Sequence, residues 1–325
     1  MYSLHFYGQM MADTARMGAY AAALRQVVKP DSVVMDLGSG PGVFALLGCK
    51  LGARRVYAVE PSNVIGLARE AAAANGFAER IQFFESMSTE ITLDERASII
   101  VSDLRGVLPW FQQHIPSIID ARERHLARGG TLIPRRDMLW AAVVEAPTQY
   151  EGLVGPWQNN ELELDLAAGR GLITNTWRKA RIQAEQLLVE PIRWTTIDYY
   201  IVNSPDIQAE ISWSAARKGT AHGVAVWFDA ELVEGIGFSN HPNSPEMIYG
   251  QGLFPFPQPV ELMEGDRIKL RLAANMVEDD YVWRWDTDFF MRDDETRLRA
   301  SFKQSTFFGV PLSPAVLQKA RQKSA

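Results

Sequence analysis

The run Val33-Val34-Met35-Asp36-Leu37-Gly38-Ser39-Gly40-Pro41-Gly42, followed by Val56-Tyr57-Ala58-Val59-Glu60, decides the fold. An apolar stretch stops at an acid, glycines follow at alternate positions, and a second apolar stretch stops at another acid. That order predicts a buried strand, a tight turn, a helix and a second, parallel strand. The glycines let the backbone bend and let a ligand approach it with no Cβ in the way. Glu60 stands about twenty residues past the turn, where a carboxylate at a strand end accepts from both ribose hydroxyls. Pro61, beside it, is counted with the same binding set.

The turn also selects among nucleotides. The dinucleotide pattern G-x-G-x-x-G needs glycine at position 43, where this chain has Val43, and no lysine follows as a phosphate-binding loop demands. Asp36 would repel a pyrophosphate but suits an ammonium group. S-adenosylmethionine carries an α-amino group at one end, a ribose at the other and no phosphate. Asp36, Gly38, Gly40 and Glu60 therefore point to a methyl-donor site. A glycine turn that only joins strand to helix is the plainer reading, and it leaves the paired acids unexplained.

Composition narrows the class. At 325 residues the chain exceeds the roughly 250–300 at which single cores stop growing, so two domains are expected. A net charge of −6 with no basic block argues against a nucleic-acid partner. One cysteine, Cys49, excludes an intramolecular disulfide and a multi-cysteine metal site, and no metal is expected. No charged-then-apolar leader opens the chain and no apolar run reaches about 18 residues, so a cytoplasmic protein with no membrane partner is expected.

Periodicity places helices at 13–28, 43–51, 62–75 (capped by Ser62) and 109–127, and strands at 33–36, 56–60, 81–84, 97–102 and 131–133. This is an α/β pattern, a doubly wound Rossmann-like sheet with Asp36, Glu60 and Asp103 at carboxyl ends of strands, where ligands bind. After Pro134 the texture turns β-rich and aromatic, with strands expected near 138–145, 197–201, 207–213, 223–233, 259–262, 267–272 and 281–285. An antiparallel β-barrel or sandwich follows from this. The cluster Trp283, Trp285, Asp286 and Asp288 reads as barrel structure. The expected divisions are a helical cover over 1–30, the donor-binding domain over 31–136, and the β-barrel domain over 137–325.

In this order of parts the chain resembles the protein arginine methyltransferase family over nearly its whole length. The likeness takes in Tyr2 to Tyr20 as the helical cover, Val34 to Ser62 as the donor motif, Ile100 to Gln112 as the acceptor loop and Phe238 to Phe254 as a closing barrel loop. A D-x-x-R-x-x-x-Y helix lies over the donor in that family, and here it is Asp13, Arg16 and Tyr20, spaced onto one helical face. The resemblance implies that Arg16 pairs with the donor carboxylate, a contact suited to a guanidinium fork. It also implies that Met10 lies near the sulfonium, that Tyr7 stands where the family has histidine, and that Met87 and Ser88 meet the adenine. S-adenosylmethionine is then the cofactor and S-adenosylhomocysteine the product. The segment 152–181 resembles the family's dimerisation arm, implying a homodimer.

Departures from the family bear on the acceptor. Its two loop glutamates, in S-E-x-x-G-x-x-L-x-x-E, are replaced by Asp103 and Gln112, Arg105 adds a positive charge, and Met247-Ile248-Tyr249 stands where T-H-W is expected. Two carboxylates grip a guanidinium fork better than one carboxylate beside an arginine. At 4 Å a unit charge pair is worth about 4 kcal/mol at an effective dielectric constant near 20, enough to decide substrate class. Asp103 is the first candidate for catalysis or acceptor orientation, with Gln112 beside it. His241 in the closing loop, His114 and His5 are further candidate bases. Arg105, Trp110 and Tyr249 are assigned to the acceptor, with a salt bridge to Asp103 or to an interface acid as the other reading of Arg105. Tyr2, Phe6, Tyr7, Trp110, Phe111, Tyr249, Phe254 and Phe256, if they line the pocket, favour a flat or apolar acceptor.

The expected function is a methyltransferase acting on a small molecule, aromatic or amino-acid derived. Protein or peptide arginine N-methylation is the alternative, a donor-binding scaffold without turnover the next, and a nicotinamide oxidoreductase is disfavoured by Asp36 and Val43.

Overall fold

The computed structural model describes residues 3–159, 161–292 and 294–309; Tyr2 lies outside them. Contacts divide the chain into two units. The first comprises residues 1–139, 195–205 and 227–250, and the second 140–194, 206–226 and 251–325.

The first unit is built on β1 (Val33–Leu37), whose residues are all buried. β1 pairs in parallel with β2 (Arg55–Val59) on one side and β4 (Ala97–Ser102) on the other. With β3 (Ile81–Phe84) and β5 (Leu126–Ile133) the sheet order is β3-β2-β1-β4-β5. The order reverses between β1 and β4, so the carboxyl ends of those two strands open a crevice. Helices α1 (Leu4–Ala12), α2 (Thr14–Val27), α3 (Val43–Lys50), α4 (Ile65–Ala74) and α5 (His114–Arg124) accompany the sheet.

Two helix boundaries differ from the sequence expectation. Ser62 does not cap α4; it donates to Glu60, and α4 begins later, at Ile65. The expected helix over 109–127 is shortened to α5, because Gln112 adopts a left-handed backbone (φ 43°) that interrupts any helix reaching back to Pro109. The burial of Trp110 tethers that turn.

The remaining strands are β6 (Arg136–Val144), β7 (Arg178–Ala180), β8 (Ile192–Asp198), β9 (Ile207–Ser214), β10 (Gly219–Val233), β11 (Ile236–Ser239), β12 (Gln251–Leu262), β13 (Arg267–Val277), β14 (Asp280–Met291) and β15 (Asp294–Ser305). They form a sheet ordered β7-β12-β10-β6-β8, with β11 on β10, and a sheet ordered β15-β14-β13-β9. β14 alternates buried and outward residues because one face covers a core. Phe254, Trp283 and Trp285 are buried there, with Trp177 stacked on Phe254 at 5.8 Å. Phe254 and Phe256 are thus core residues of the second unit, which corrects the expectation that they line an acceptor pocket. Segment 152–181 folds into α6 (Pro147–Gln158) and α7 (Ala167–Ile173). At Gly169 the Trp157 ring lies so close that a Cβ would meet it at 1.9 Å. Leu162 (76% exposed), Leu164 (55%) and Leu166 (39%) face solvent beside this hairpin. Among the described residues no helix is long and apolar enough to cross a membrane.

Candidate functional site

Every group in this site belongs to the first unit. The glycine turn sits at the end of β1, where Gly38 and Ser39 donate their amides to the Val59 carbonyl at 2.8 and 3.0 Å. Asp36 Oδ2 accepts from the amide of Ala45 at 2.8 Å, satisfying an otherwise unpaired donor in the first turn of α3. Glu60 Oε2 accepts from the Gly40 amide at 3.0 Å, while Oε1 accepts from the amide and hydroxyl of Ser62. The two acids that the sequence assigns to a ligand therefore also hold the turn. Gly38 and Gly40 have positive φ, and side chains press on both. A Cβ at Gly38 would stand 2.1 Å from Leu104 Cδ2, and one at Gly40 2.9 Å from Tyr7 Cε1.

The donor set fits S-adenosylmethionine on an observation of its own. Asp36 Oδ1, Ser39 Oγ and Ser88 Oγ are buried and have no hydrogen-bond partner among the described residues. Buried polar groups ordinarily find partners, and a ligand with an ammonium, hydroxyls and an adenine supplies them. Burial pushes the Asp36 carboxyl up to about 7, against the Ala45 amide that lowers it and with Glu60 adding repulsion. An ammonium beside it would restore the ionised form. Met87 is half-buried beside Ser88, and Pro61 is exposed.

Asp103 follows β4 directly and gathers groups distant in sequence. Arg16 donates Nε to Asp103 Oδ2 at 2.5 Å, and its Nη2 pairs with the same oxygen. The Tyr249 hydroxyl lies 2.8 and 2.7 Å from the two carboxylate oxygens. Asp13 joins the elements that carry these partners. Its Oδ1 caps α2 by accepting the Arg16 amide at 3.0 Å, and its Oδ2 accepts the Ile248 amide at 2.9 Å. The remaining Arg16 donor, Nη1, meets the Met10 carbonyl at 3.1 Å. Asn240 closes the neck of the loop bearing Tyr249, its Oδ1 accepting from the Phe228 amide and its Nδ2 donating to the Gly250 carbonyl. Burial alone would raise the Asp103 carboxyl, but Arg16, Arg105 and Tyr249 together hold it below its ordinary value.

Arg105 does not face an acceptor. Its side chain is wholly buried, 3.1 Å from Asp137 Oδ1 and 3.7 Å from Asp103 Oδ1. Its guanidinium lies over the rings of Phe228 (5.1 Å) and Phe238 (5.6 Å), which also pack on Tyr249. Tyr199 donates to Asp137 Oδ2 at 2.6 Å and accepts from His114 Nε2 at 2.9 Å, which assigns that tautomer to the ring. Burial pushes His114 down to about 3, with Arg105 adding repulsion, so it is a neutral packing residue. Burial raises the Asp137 carboxyl, against the pull of Arg105 and Tyr199.

The other candidates stand apart from this cluster. Gln112 is exposed, and His5 is exposed on α1. His241 turns edge-on to Trp227 at 5.4 Å and accepts from the Asn243 amide. Trp110 is buried. Sequence reasoning missed Asp137, Tyr199 and Phe228, and used Phe238 only to mark the start of the closing loop. Asp137 follows Arg135 and Arg136 and reads as part of an exposed charge run, so only the fold reveals its burial.

Known proteins align with this architecture. A family model described as the arginine methyltransferase oligomerization subdomain matches residues 135–289, and one for ribosomal protein L11 methyltransferase matches 14–144. Protein arginine N-methyltransferase 2 of Mus musculus is 29% identical over 81% of this chain and 62% of its own length. A sequence named "Probable protein arginine N-methyltransferase 6" from Arabidopsis thaliana is 27% identical over 73% of this chain and 55% of its own length. The chain thus spans little more than half of these two relatives. The Trypanosoma brucei PRMT1 enzyme-prozyme complex with AdoHcy superposes with a TM-score of 0.82 at 21% identity, covering 94% of this chain and 98% of that one. The chain resembles the protein arginine methyltransferase family in both sequence and fold.

The expected small-molecule acceptor is corrected by these findings, because the sequence relatives are named as protein arginine N-methyltransferases. The expectation rested partly on Arg105 opposing a cationic acceptor. Asp137 cancels that charge at 3.1 Å, so the repulsion argument fails.

Proposed function

We propose that this chain, resembling the protein arginine methyltransferase family along most of its length, is an S-adenosylmethionine-dependent methyltransferase acting on arginine side chains of a protein or peptide. The observation that carries the reading is the Asp103 carboxylate, held ionised by its neighbours and set beside a donor-type glycine turn at the sheet's crevice.

The donor supplies an activated methyl group for in-line displacement, so the protein's contribution is mainly proximity and orientation. Asp36 faces the donor ammonium, Glu60 the ribose, and Ser88 with Met87 the adenine, while Gly38 and Gly40 admit close approach. Tyr7, Met10 and Arg16 cover that ligand from the N-terminal helices, and Pro61 borders it. Asp103 accepts hydrogen bonds from the acceptor guanidinium and fixes its orientation. Tyr249 holds Asp103, while Arg105 and Trp110 shape the loop from behind.

The 152–181 hairpin, with Leu162, Leu164 and Leu166 exposed, is proposed to join two copies into a homodimer, and the protein to be cytoplasmic. The divisions 1–30, 31–136 and 137–325 are the proposed cover, donor-binding and barrel parts.

The test is transfer of labelled methyl from S-adenosylmethionine to arginine-rich peptide. Label is expected on arginine, absent when lysine replaces arginine, and lost in Asp103→Asn. Turnover in which Asp103→Asn makes no difference, or no label on any arginine-bearing protein or peptide, overturns the reading.

A further inference from the structure

The inference deepens the reading above and rests on it for the identity of the two ligands. Asp103, assigned to the acceptor guanidinium, already holds a guanidinium, that of Arg16. Oδ2 accepts from Arg16 Nε and Nη2 and lies within reach of the Tyr249 hydroxyl. The two paired side chains are only 5% and 4% exposed, so neither charge has water as a substitute partner. An acceptor arginine is a chemical copy of the group that occupies the site.

Charge makes the competition steep. Arg16 and Arg105 balance Asp103 and Asp137, so the buried cluster is neutral as it stands. Adding a cation to it is costly unless an anion comes too. The place for that anion is fixed by Arg16, whose guanidinium carbon lies 5.7 Å from the Phe44 ring centre in the first turn of α3, next to the glycine turn. Its Nη1 meets the carbonyl of Met10, on the helix whose Tyr7 rests against Gly40. A ligand lying on the glycine turn and bearing a carboxylate meets Arg16 there.

We propose that the Arg16–Asp103 ion pair is a latch opened by the carboxylate of the methyl donor. The anion takes Arg16, which releases the Asp103 oxygen for the acceptor guanidinium, and Tyr249 keeps Asp103 in place during the exchange. Donor and acceptor then bind with positive coupling, and each raises the other's affinity by the same factor.

Two calorimetric measurements test this. In the first, S-adenosylhomocysteine is titrated into wild-type protein and Asp103→Asn. The latch requires tighter binding in the variant, roughly tenfold, because Arg16 no longer has a carboxylate to leave. If Asp103 instead positions Arg16 for the donor, the variant binds more weakly, and weaker or equal binding overturns the proposal. In the second, which needs no variant, arginine-rich peptide is titrated with S-adenosylhomocysteine present, then with S-adenosyl-3-thiopropylamine, which keeps the nucleoside and the ammonium but lacks the carboxylate. Peptide binding is expected to be at least tenfold tighter with the former, and equal binding with both overturns the latch. The first measurement involves no acceptor. Tightening there without arginine methylation would retain the latch and remove the acceptor assignment. Methylation with equal binding in both peptide titrations would do the reverse.

Discussion

Arg105 Nη1 and Asp137 Oδ1 face each other at 3.1 Å with both side chains fully buried. The loop that carries Asp103 is thereby anchored to the start of β6, and the positive charge inside it is cancelled. Tyr199 and His114 extend the anchor by hydrogen bonds. Removing one partner leaves the other as an uncompensated buried charge, a cost of about 3–5 kcal/mol. Asp137→Asn is therefore expected to lower unfolding stability by that order in a denaturant titration. The double variant Arg105→Met with Asp137→Leu should recover most of the loss, and two additive losses would contradict the pairing.

Tyr249→Phe removes a hydroxyl shared between both Asp103 oxygens. A hydrogen bond to a charged group is worth about 1.5–3 kcal/mol, so kcat/KM for an arginine peptide should fall roughly 10- to 100-fold. The Asp103 carboxyl is held below its ordinary value in the folded protein, so it contributes stability above the unfolded value of 3.8, and that contribution is lost as pH falls through the lower folded value. With Tyr249 gone the depression shrinks. The acid limb of the pH–rate profile should move to higher pH, and an unmoved limb would argue against the contact.

Asp36 behaves in the opposite sense. Its folded value is raised to about 7, so the folded protein holds a proton that the unfolded chain lacks between 3.8 and about 7. Its contribution favours the folded state at low pH and is lost as pH rises through that window. An ammonium-bearing donor prefers the carboxylate, so S-adenosylhomocysteine affinity should climb with pH up to about 7 and level off above it. Titration calorimetry on wild type and Asp36→Asn checks this; the variant should bind weakly and without that slope.

Gly38→Ala meets two obstacles. The backbone there has φ 71°, which costs a residue with a Cβ about 1–2 kcal/mol, and the added atom would stand 2.1 Å from Leu104 Cδ2. Donor affinity should drop at least tenfold with a measurable loss in melting temperature. Gly52→Ala, also at positive φ but with open space around its Cβ, should cost stability without affecting donor binding.

Much of the first unit was legible because its signals are local. Strands 33–36, 81–84 and 97–102 agree with the structure to within a residue, since buried parallel strands read as short apolar runs between turns. The sequence expectation failed where distant contacts overrode periodicity. A strand was expected over 197–201, but β8 ends at Asp198, and Tyr199 turns inward to reach Asp137. The long strands β12 to β14 were expected only in fragments and β15 not at all, because Pro255, Pro257 and Pro259 interrupt the apolar pattern of β12 and polar outward positions dilute that of the others.

By itself the sequence determined the glycine turn. Positive φ at Gly38 and Gly40, an acid before them and an acid after the next strand are demands met within about thirty residues of chain. Tertiary structure alone decided what surrounds Asp103. Arg16 is 87 residues away and Tyr249 146. Contacts at such separations are set by how strands register and loops close, and a lone arginine or tyrosine carries no mark of them in its neighbours. For the same reason the sequence left Arg105 between a charge opposing the acceptor and a salt bridge, until the fold placed Asp137 against it.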